Sequence, residues 1–200
     1  MSFSVSLIKR IILKLQSIFF KINYDEKKYS IEQDKLFSEL KLSRKEGLKR
    51  LGSIESVNDN LNSPMKSEHN VLLASLSLLN QPFKEILEIG TFDGKNASYL
   101  SKIFPNSSIT TIDLDDEDDL FIKTYDRAKF EERENFCKER DKILKSSKNI
   151  QFVKMNSLEL YKFNKVFDLI WVDGAHGYPY VPIDIINSLR LLNNNGYLLC

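Results

Sequence analysis

The sequence predicts an α/β fold, a doubly wound parallel sheet with helices on both faces, preceded by a helical N-terminal extension. Three observations carry that reading. From residue 85 onward, short apolar runs alternate with helical patterns, which is the signature of strands linked by crossover helices. Glu85-Ile-Leu-Glu-Ile-Gly-Thr-Phe-Asp-Gly94 reads as a strand, a glycine turn and a helix start. Polar residues suited to ligand contact then recur at the strand ends, along the rim where right-handed crossovers place a crevice.

The totals set the frame. Two hundred residues suffice for one well-buried domain plus an appendage, and 42% hydrophobic with 28% charged residues is the composition of a soluble globular chain. A net charge of +1 gives no global electrostatic argument for a nucleic-acid partner. Cys137 and Cys200 are the only cysteines, so neither a disulfide framework nor a zinc site is expected, and a reducing, cytoplasmic compartment is.

Residues 1–62 read as the extension. Leu7, Ile8, Ile11, Ile12, Leu15 and Ile18 recur at helical spacing, with Lys9, Arg10, Lys14 and Lys21 on the other side. The charges interrupt any bilayer-spanning run. Two readings stay open for residues 5–22: a helix packed on the domain or on a second copy of the chain, or a basic interfacial helix on an anionic membrane. Helical patterns follow over 31–42 and 44–51, and Gly47 and Gly52 are read as hinges or connections. Ser63-Pro64 opens a helix through Leu79 that carries Glu68 and His69; a lone helical His is a surface residue or a ligand contact.

The second unit, 63–200, holds the sheet. Strands are expected at 86–89, 108–114, 150–155 and 166–173, with a fifth starting at Tyr197 after a turn at Asn193-Asn-Asn-Gly196. Helices are expected at 95–104 and 183–192, with one exposed charged helix over 126–146 packed through Phe130, Phe136 and Leu144. The charges of that helix read as a solvated face, or, for Arg127, Arg133 and Arg140, as contacts to an anionic substrate.

The first loop has Gly-x-x-x-Gly spacing and lacks the phosphate cradle of a dinucleotide site. Gly90 permits a sharp turn or close approach to a ligand. The Glu88 carboxylate would repel a pyrophosphate, so the loop suits a cationic or zwitterionic ligand. Asp113, a little over twenty residues beyond Gly90, ends the second strand and is placed to accept ribose hydroxyls. Its loop, Asp113–Asp119, holds six acidic residues, so simple solvation or cation binding is the competing reading, though EF-hand spacing is missing.

Glu88-Ile-Gly-Thr-Phe-Asp-Gly94, Thr111-Ile-Asp113 and Phe167-Asp-Leu-Ile-Trp-Val-Asp-Gly-Ala-His-Gly-Tyr178 together resemble the class I S-adenosylmethionine-dependent methyltransferases, in the branch with Asp-Gly-x-His-x-Tyr after the fourth strand. The resemblance covers residues 65–200. It implies a Rossmann-like sheet of order 3-2-1-4-5. It also implies a cytoplasmic enzyme, an O-methyltransferase acting on a small molecule or a glycan intermediate. Glu88, Gly90, Thr91 and Gly94 would surround the amino-acid part of the cofactor and Asp113 its ribose. Asn156 and Ser157 would lie near the adenine, where the family often has an acidic residue followed by a small one.

For the chemistry, the resemblance points to His176 as general base, since its ordinary pKa lies near neutrality. Asp173 would orient His176 or ligate a divalent cation. A loop-capping role for His176 is the competing reading, and Tyr178 and Tyr180 are read as a substrate wall or as packing. The family sheet has seven strands, whereas this chain ends at Cys200 inside the fifth, so it reads as C-terminally truncated, with an uncovered sheet edge that invites association. Two alternatives follow: a degenerate methyltransferase fold serving as a cofactor-binding or membrane-docked interaction module, and a nicotinamide-dependent oxidoreductase.

Overall fold

The computed structural model describes residues 25–54, 67–124 and 127–200. The amphipathic stripe at residues 5–22 and the hinge-like run 56–63 lie outside those residues. The described chain runs α1 (Glu26–Glu39), α2 (Arg44–Gly52), α3 (Glu68–Leu76), β1 (Glu85–Ile89), α4 (Lys95–Ile103) and β2 (Ser108–Asp113). It continues through α5 (Asp119–Lys123), α6 (Phe130–Lys145), β3 (Ile150–Lys154), a 3-10 turn (Ser157–Lys162), β4 (Phe167–Val172), α7 (Tyr180–Leu191) and β5 (Leu192–Leu199). All pairings in the sheet are parallel and its order is β3-β2-β1-β4-β5. This is the expected doubly wound, Rossmann-like arrangement.

Strand alternation divides the core between two faces. Ile86, Ile109 and Leu169 point to one side, where Leu73 and Leu76 of α3, Leu100 and Ile103 of α4 and the helical extension's Phe37, Leu51 and Ile54 cover them. Leu87, Ile89, Ile170 and Val172 point to the other, against Leu160 and Leu191. Each fully buried aliphatic side chain contributes roughly 1.5–3 kcal/mol, so both faces are firmly held. The central strands β1 and β4 have both faces covered, which is why apolar residues fill successive positions in them, interrupted by Glu88 in β1 and Asp168 in β4.

Three local expectations are corrected. Gly47 is no hinge: it lies inside α2, where a Cβ would stand 2.7 Å from the Val71 carbonyl oxygen, so glycine is what allows α2 to press against α3. The run Asn193–Gly196 is not a turn ahead of the strand. β5 already pairs with β4 at Leu192, and a register shift between Phe167 and Leu169 absorbs the extra residues. Gly196 folds over Leu192 there, with a would-be Cβ 2.8 Å from Leu192 Cδ1. Pairing with a buried neighbour outweighs the turn propensity of the asparagines.

The charged helix over 126–146 is the third. The structure instead has the short α5, a connection and α6, and Arg127, Arg133 and Arg140 are all buried. Their charges are met internally. Arg127 stacks 3.7 Å above the Phe121 ring, Arg133 pairs with Glu117 at 3.5 Å, and Arg140 lies over Phe152 at 4.5 Å. Leu144 is buried as expected, but Phe130 is 64% exposed.

Candidate active site

The C-terminal ends of β1, β2, β3 and β4 are brought level by backbone bonds that prolong the ladders. Gly90 N–H donates to Ile112 O at 2.9 Å, Asp173 N–H to Ile89 O at 2.8 Å and Met155 N–H to Asp113 O at 2.7 Å. Gly90 has a φ of 102°, and a Cβ there would lie 2.7 Å from the Asp173 carbonyl carbon. The glycine therefore lets the β1 loop lie directly against the β4 loop, whatever else it touches. Above these ends opens a cavity of about 730 Å³.

The loop after β1 is tied to β2 by side chains. Asp113 Oδ2 accepts the Phe92 N–H at 2.8 Å and holds that residue at a φ of 47°, while Oδ1 accepts the Leu114 N–H at 2.8 Å. Each carboxylate oxygen keeps a further lone pair for a ligand hydroxyl. Beneath the loop, Glu88 is fully buried. It accepts from Asn96 Nδ2 at 2.6 Å and from Thr111 Oγ1 at 2.5 Å, and Thr111 in turn touches Thr91 Oγ1 at 2.6 Å. Burial, only partly offset by Thr111 and Asn96, raises the Glu88 pKa to about 8, with the charges of Asp173 and Asp113 pushing the same way.

The acidic loop beyond Asp113 is anchored from outside the cavity. Arg140 makes a forked contact with Asp116 at 2.7 and 3.2 Å, and Lys154 reaches the same carboxylate at 2.5 Å. Burial would raise the Asp116 pKa, but the bonds to Arg140 and Lys154 outweigh it and lower it to about 2. The charge of this loop is thus spent partly on fixing the exit of β2.

A model of the methyltransferase-domain family matches residues 87–200, over more than half of the chain and across this whole rim. The chain belongs to the methyltransferase-domain family. A fatty-acid O-methyltransferase from Mycolicibacterium smegmatis is 28% identical over 117 residues, which is 58% of this chain and 36% of that relative. The chain thus spans about a third of the length of the curated relative it matches. Among solved structures, a Staphylococcus aureus protein provisionally described as a caffeoyl-CoA O-methyltransferase superposes with a TM-score of 0.50 at 20% identity, over 86% of this chain and 70% of that one. The O-methyltransferase TomG from Streptomyces achromogenes, solved with SAM, gives 0.49 at 20% identity over 84% and 70%. The Staphylococcus aureus likeness shows the fold.

Within this methyltransferase domain, the expected residues fall into two groups. Gly90, Thr91, Asp113, Asn156, Ser157, Asp173 and His176 all line the cavity. Glu88 and Gly94 do not. Glu88 stands one layer below, behind Asn96 and Thr111. Gly94, at a φ of 76° ahead of α4, faces α6, where a Cβ would be 3.0 Å from Leu144. Asn156 also caps the 3-10 turn, its Oδ1 accepting the Leu158 N–H at 3.0 Å. Of the three arginines considered for an anionic substrate, Arg127 lines the cavity, whereas Arg140 is turned to Asp116 and Asp141.

At the β4 end, His176 Nε2 lies 3.7 Å from Asp173 Oδ1, longer than a hydrogen bond, and the His176 side chain is 77% exposed. Tyr180 lines the cavity and Tyr178 projects into solvent. His69 is outside the lining and stacks on Trp171, ring centroids 5.5 Å apart. Among the described residues, no three His, Cys, Asp or Glu side chains are grouped to hold a metal ion. Among the same residues, no helix is long and apolar enough to cross a membrane. Sequence reasoning missed Asn96 and Asp184, and it offered Arg140 to solvent or an anionic substrate where the structure gives it Asp116. Asn96 could have been found as the first-turn helix residue aimed back at the strand-end acid.

Proposed function

We propose that the chain carries out S-adenosylmethionine-dependent O-methylation of a small-molecule hydroxyl. The observation that supports it best is the Gly90–Asp113 corner: a loop pressed against β4 for want of a Cβ, with a strand-end carboxylate holding Phe92 and keeping lone pairs free over the cavity. A ribose diol is a pair of donors that fits those lone pairs. Glu88, whose pKa burial raises to about 8, acts through Asn96 and Thr111. A cation above it favours its ionised form. Gly94 supports the same site by letting α6 close against the loop.

When bound, the cofactor supplies an electrophilic methyl group on a sulfonium. The chain's own part is to hold an acceptor in line with that carbon and to take its proton. We assign the second task to His176, which lines the cavity 3.7 Å from Asp173, the carboxylate that would orient it. A divalent cation would find Asp173 as a ligand, but the described residues offer no donor set to complete it. The cavity size suits a cofactor plus a small acceptor. A glycan acceptor, a second copy of the chain and a membrane surface have no feature of their own among the described residues. The M. smegmatis relative's name points to a carboxylate acceptor, which needs no base; Arg127 on the cavity wall would suit such an anion.

Thermal melts test the reading. S-adenosylmethionine and S-adenosylhomocysteine at saturating concentration are expected to raise the midpoint by several degrees, since a ligand at about 100 times its Kd adds about 2.7 kcal/mol. NADH is expected to leave it unchanged. A shift with NADH alone would favour the oxidoreductase reading.

A further inference from the structure

The helix behind the cavity carries an aromatic side chain that the chemistry above does not use. Phe136 of α6 is half-buried and stands outside the cavity lining, yet it packs against residues that form it. Its ring centroid lies 5.5 Å from that of Phe92 and 6.2 Å from that of Phe121, and the Arg127 guanidinium stands 5.0 Å from it. Phe136, Arg140 and Leu144 recur at helical spacing and so share a face of α6. On that face Arg140 holds Asp116, and Leu144 packs where Gly94 has no Cβ. The face as a whole backs the loop after β1 and the exit of β2.

What Phe136 backs is a strained residue. Phe92 has a φ of 47°, a left-handed conformation that a bulky side chain takes up only when its surroundings impose it. Asp113 imposes it at the backbone, Oδ2 accepting the Phe92 N–H at 2.8 Å. Phe92 is 45% exposed, so burial alone does not fix its ring; Phe136 meets that ring from behind. Were Phe92 to relax to an ordinary φ, its N–H would swing away from Asp113, and the carboxylate would lose a contact that orients it. Support therefore runs from α6 through the ring and backbone of Phe92 to the β2 carboxylate at the cavity.

We propose that Phe136 is a positioning residue for the cofactor: by packing behind Phe92 it keeps the loop after β1 in the shape that lets Asp113 receive a ribose. This rests on the S-adenosylmethionine reading of the same cavity. Phe136 touches no ligand and acts through Phe92, so its contribution disappears when the Phe92 ring is removed. The same side chain ties the α5 side of the wall, through Phe121 and Arg127, to that loop.

Calorimetric titration of the full chain with S-adenosylhomocysteine tests it. Phe136→Ala is expected to weaken binding about threefold to tenfold, the scale of one aromatic pair, and Phe136→Tyr, which keeps the ring, to stay within about twofold of wild type. In a Phe92→Ala background, adding Phe136→Ala is expected to change the affinity by less than about 1.5-fold. Phe104→Ala is the control for lost packing, since it removes a buried ring that stands 5.3 Å from Phe83 and outside the cavity lining. It is expected to lower the melting temperature and to leave the affinity at the wild-type value. Wild-type affinity in Phe136→Ala overturns the proposal and leaves the cofactor reading standing. So do losses from Phe92→Ala and Phe136→Ala that simply multiply, or a Phe104→Ala variant weakened to the same degree. A wild type that binds no S-adenosylhomocysteine overturns both. If Phe136→Ala does not fold, Phe136→Leu gives the same comparison without the ring.

Discussion

The two ends of the cavity are built in contrasting ways. At the β1–β2 end, Glu88, Asn96, Thr91, Thr111 and Asp113 are joined to one another or to backbone, and Arg140 and Lys154 brace the loop from behind. At the β4 end, Asp173 and His176 stand 3.7 Å apart, with side chains 45% and 77% exposed. The first end is preorganised and loses little freedom when a ligand arrives. The second must order around an acceptor, and that ordering is where substrate choice and chemistry would be decided. Binding and turnover should therefore be separable by mutation.

The largest separation is expected from His176→Ala. If the acceptor is a hydroxyl, transfer of a labelled methyl group should fall by about 10²–10⁴-fold while cofactor affinity stays at the wild-type value. A carboxylate acceptor, already without its proton, would reduce the loss to a few-fold, so the same variant sorts acceptor classes. Arg140→Ala addresses the other end. It leaves Asp116 with Lys154 as its cation and takes the partner from Asp141, and a loss of about 1–3 kcal/mol in denaturant unfolding is expected, together with weaker cofactor binding. An unchanged unfolding midpoint would mean that the brace is not needed.

A smaller effect concerns pH. The Glu88 pKa in the folded protein, about 8, lies above its ordinary 4.5. The folded state thus holds a proton that the unfolded state releases. Its stabilising contribution is complete below 4.5 and is lost as pH rises through about 8. Relative to Glu88→Gln, the wild-type melting temperature is expected to fall across that window. S-adenosylmethionine, a cation, should release the proton on binding, visible as a dependence of the calorimetric heat on buffer ionisation enthalpy. Parallel melting curves for the two proteins would remove Glu88 from the account.

Much of the preorganised end was legible in the sequence. The apolar runs fixed the strands, and Glu88, Gly90 and Asp113 announce themselves by standing where such runs stop. What was hidden depends on partners far along the chain. Arg140 reads as one more charge on a polar helix, because helical spacing cannot distinguish solvent from a carboxylate 24 residues away. Asp184 sits among apolar neighbours on α7 with no local sign that it faces a cavity. The early start of β5 was masked by three asparagines whose turn propensity yielded to pairing with β4.

The most direct test of the central claim is isothermal titration of S-adenosylmethionine into wild type and Asp113→Ala. The account predicts one site on the wild type and a roughly 10- to 100-fold weaker one on the variant, the range expected when hydrogen bonds to a charged group are lost. A folded wild type that gives no heat, or a variant that binds as tightly, would contradict it.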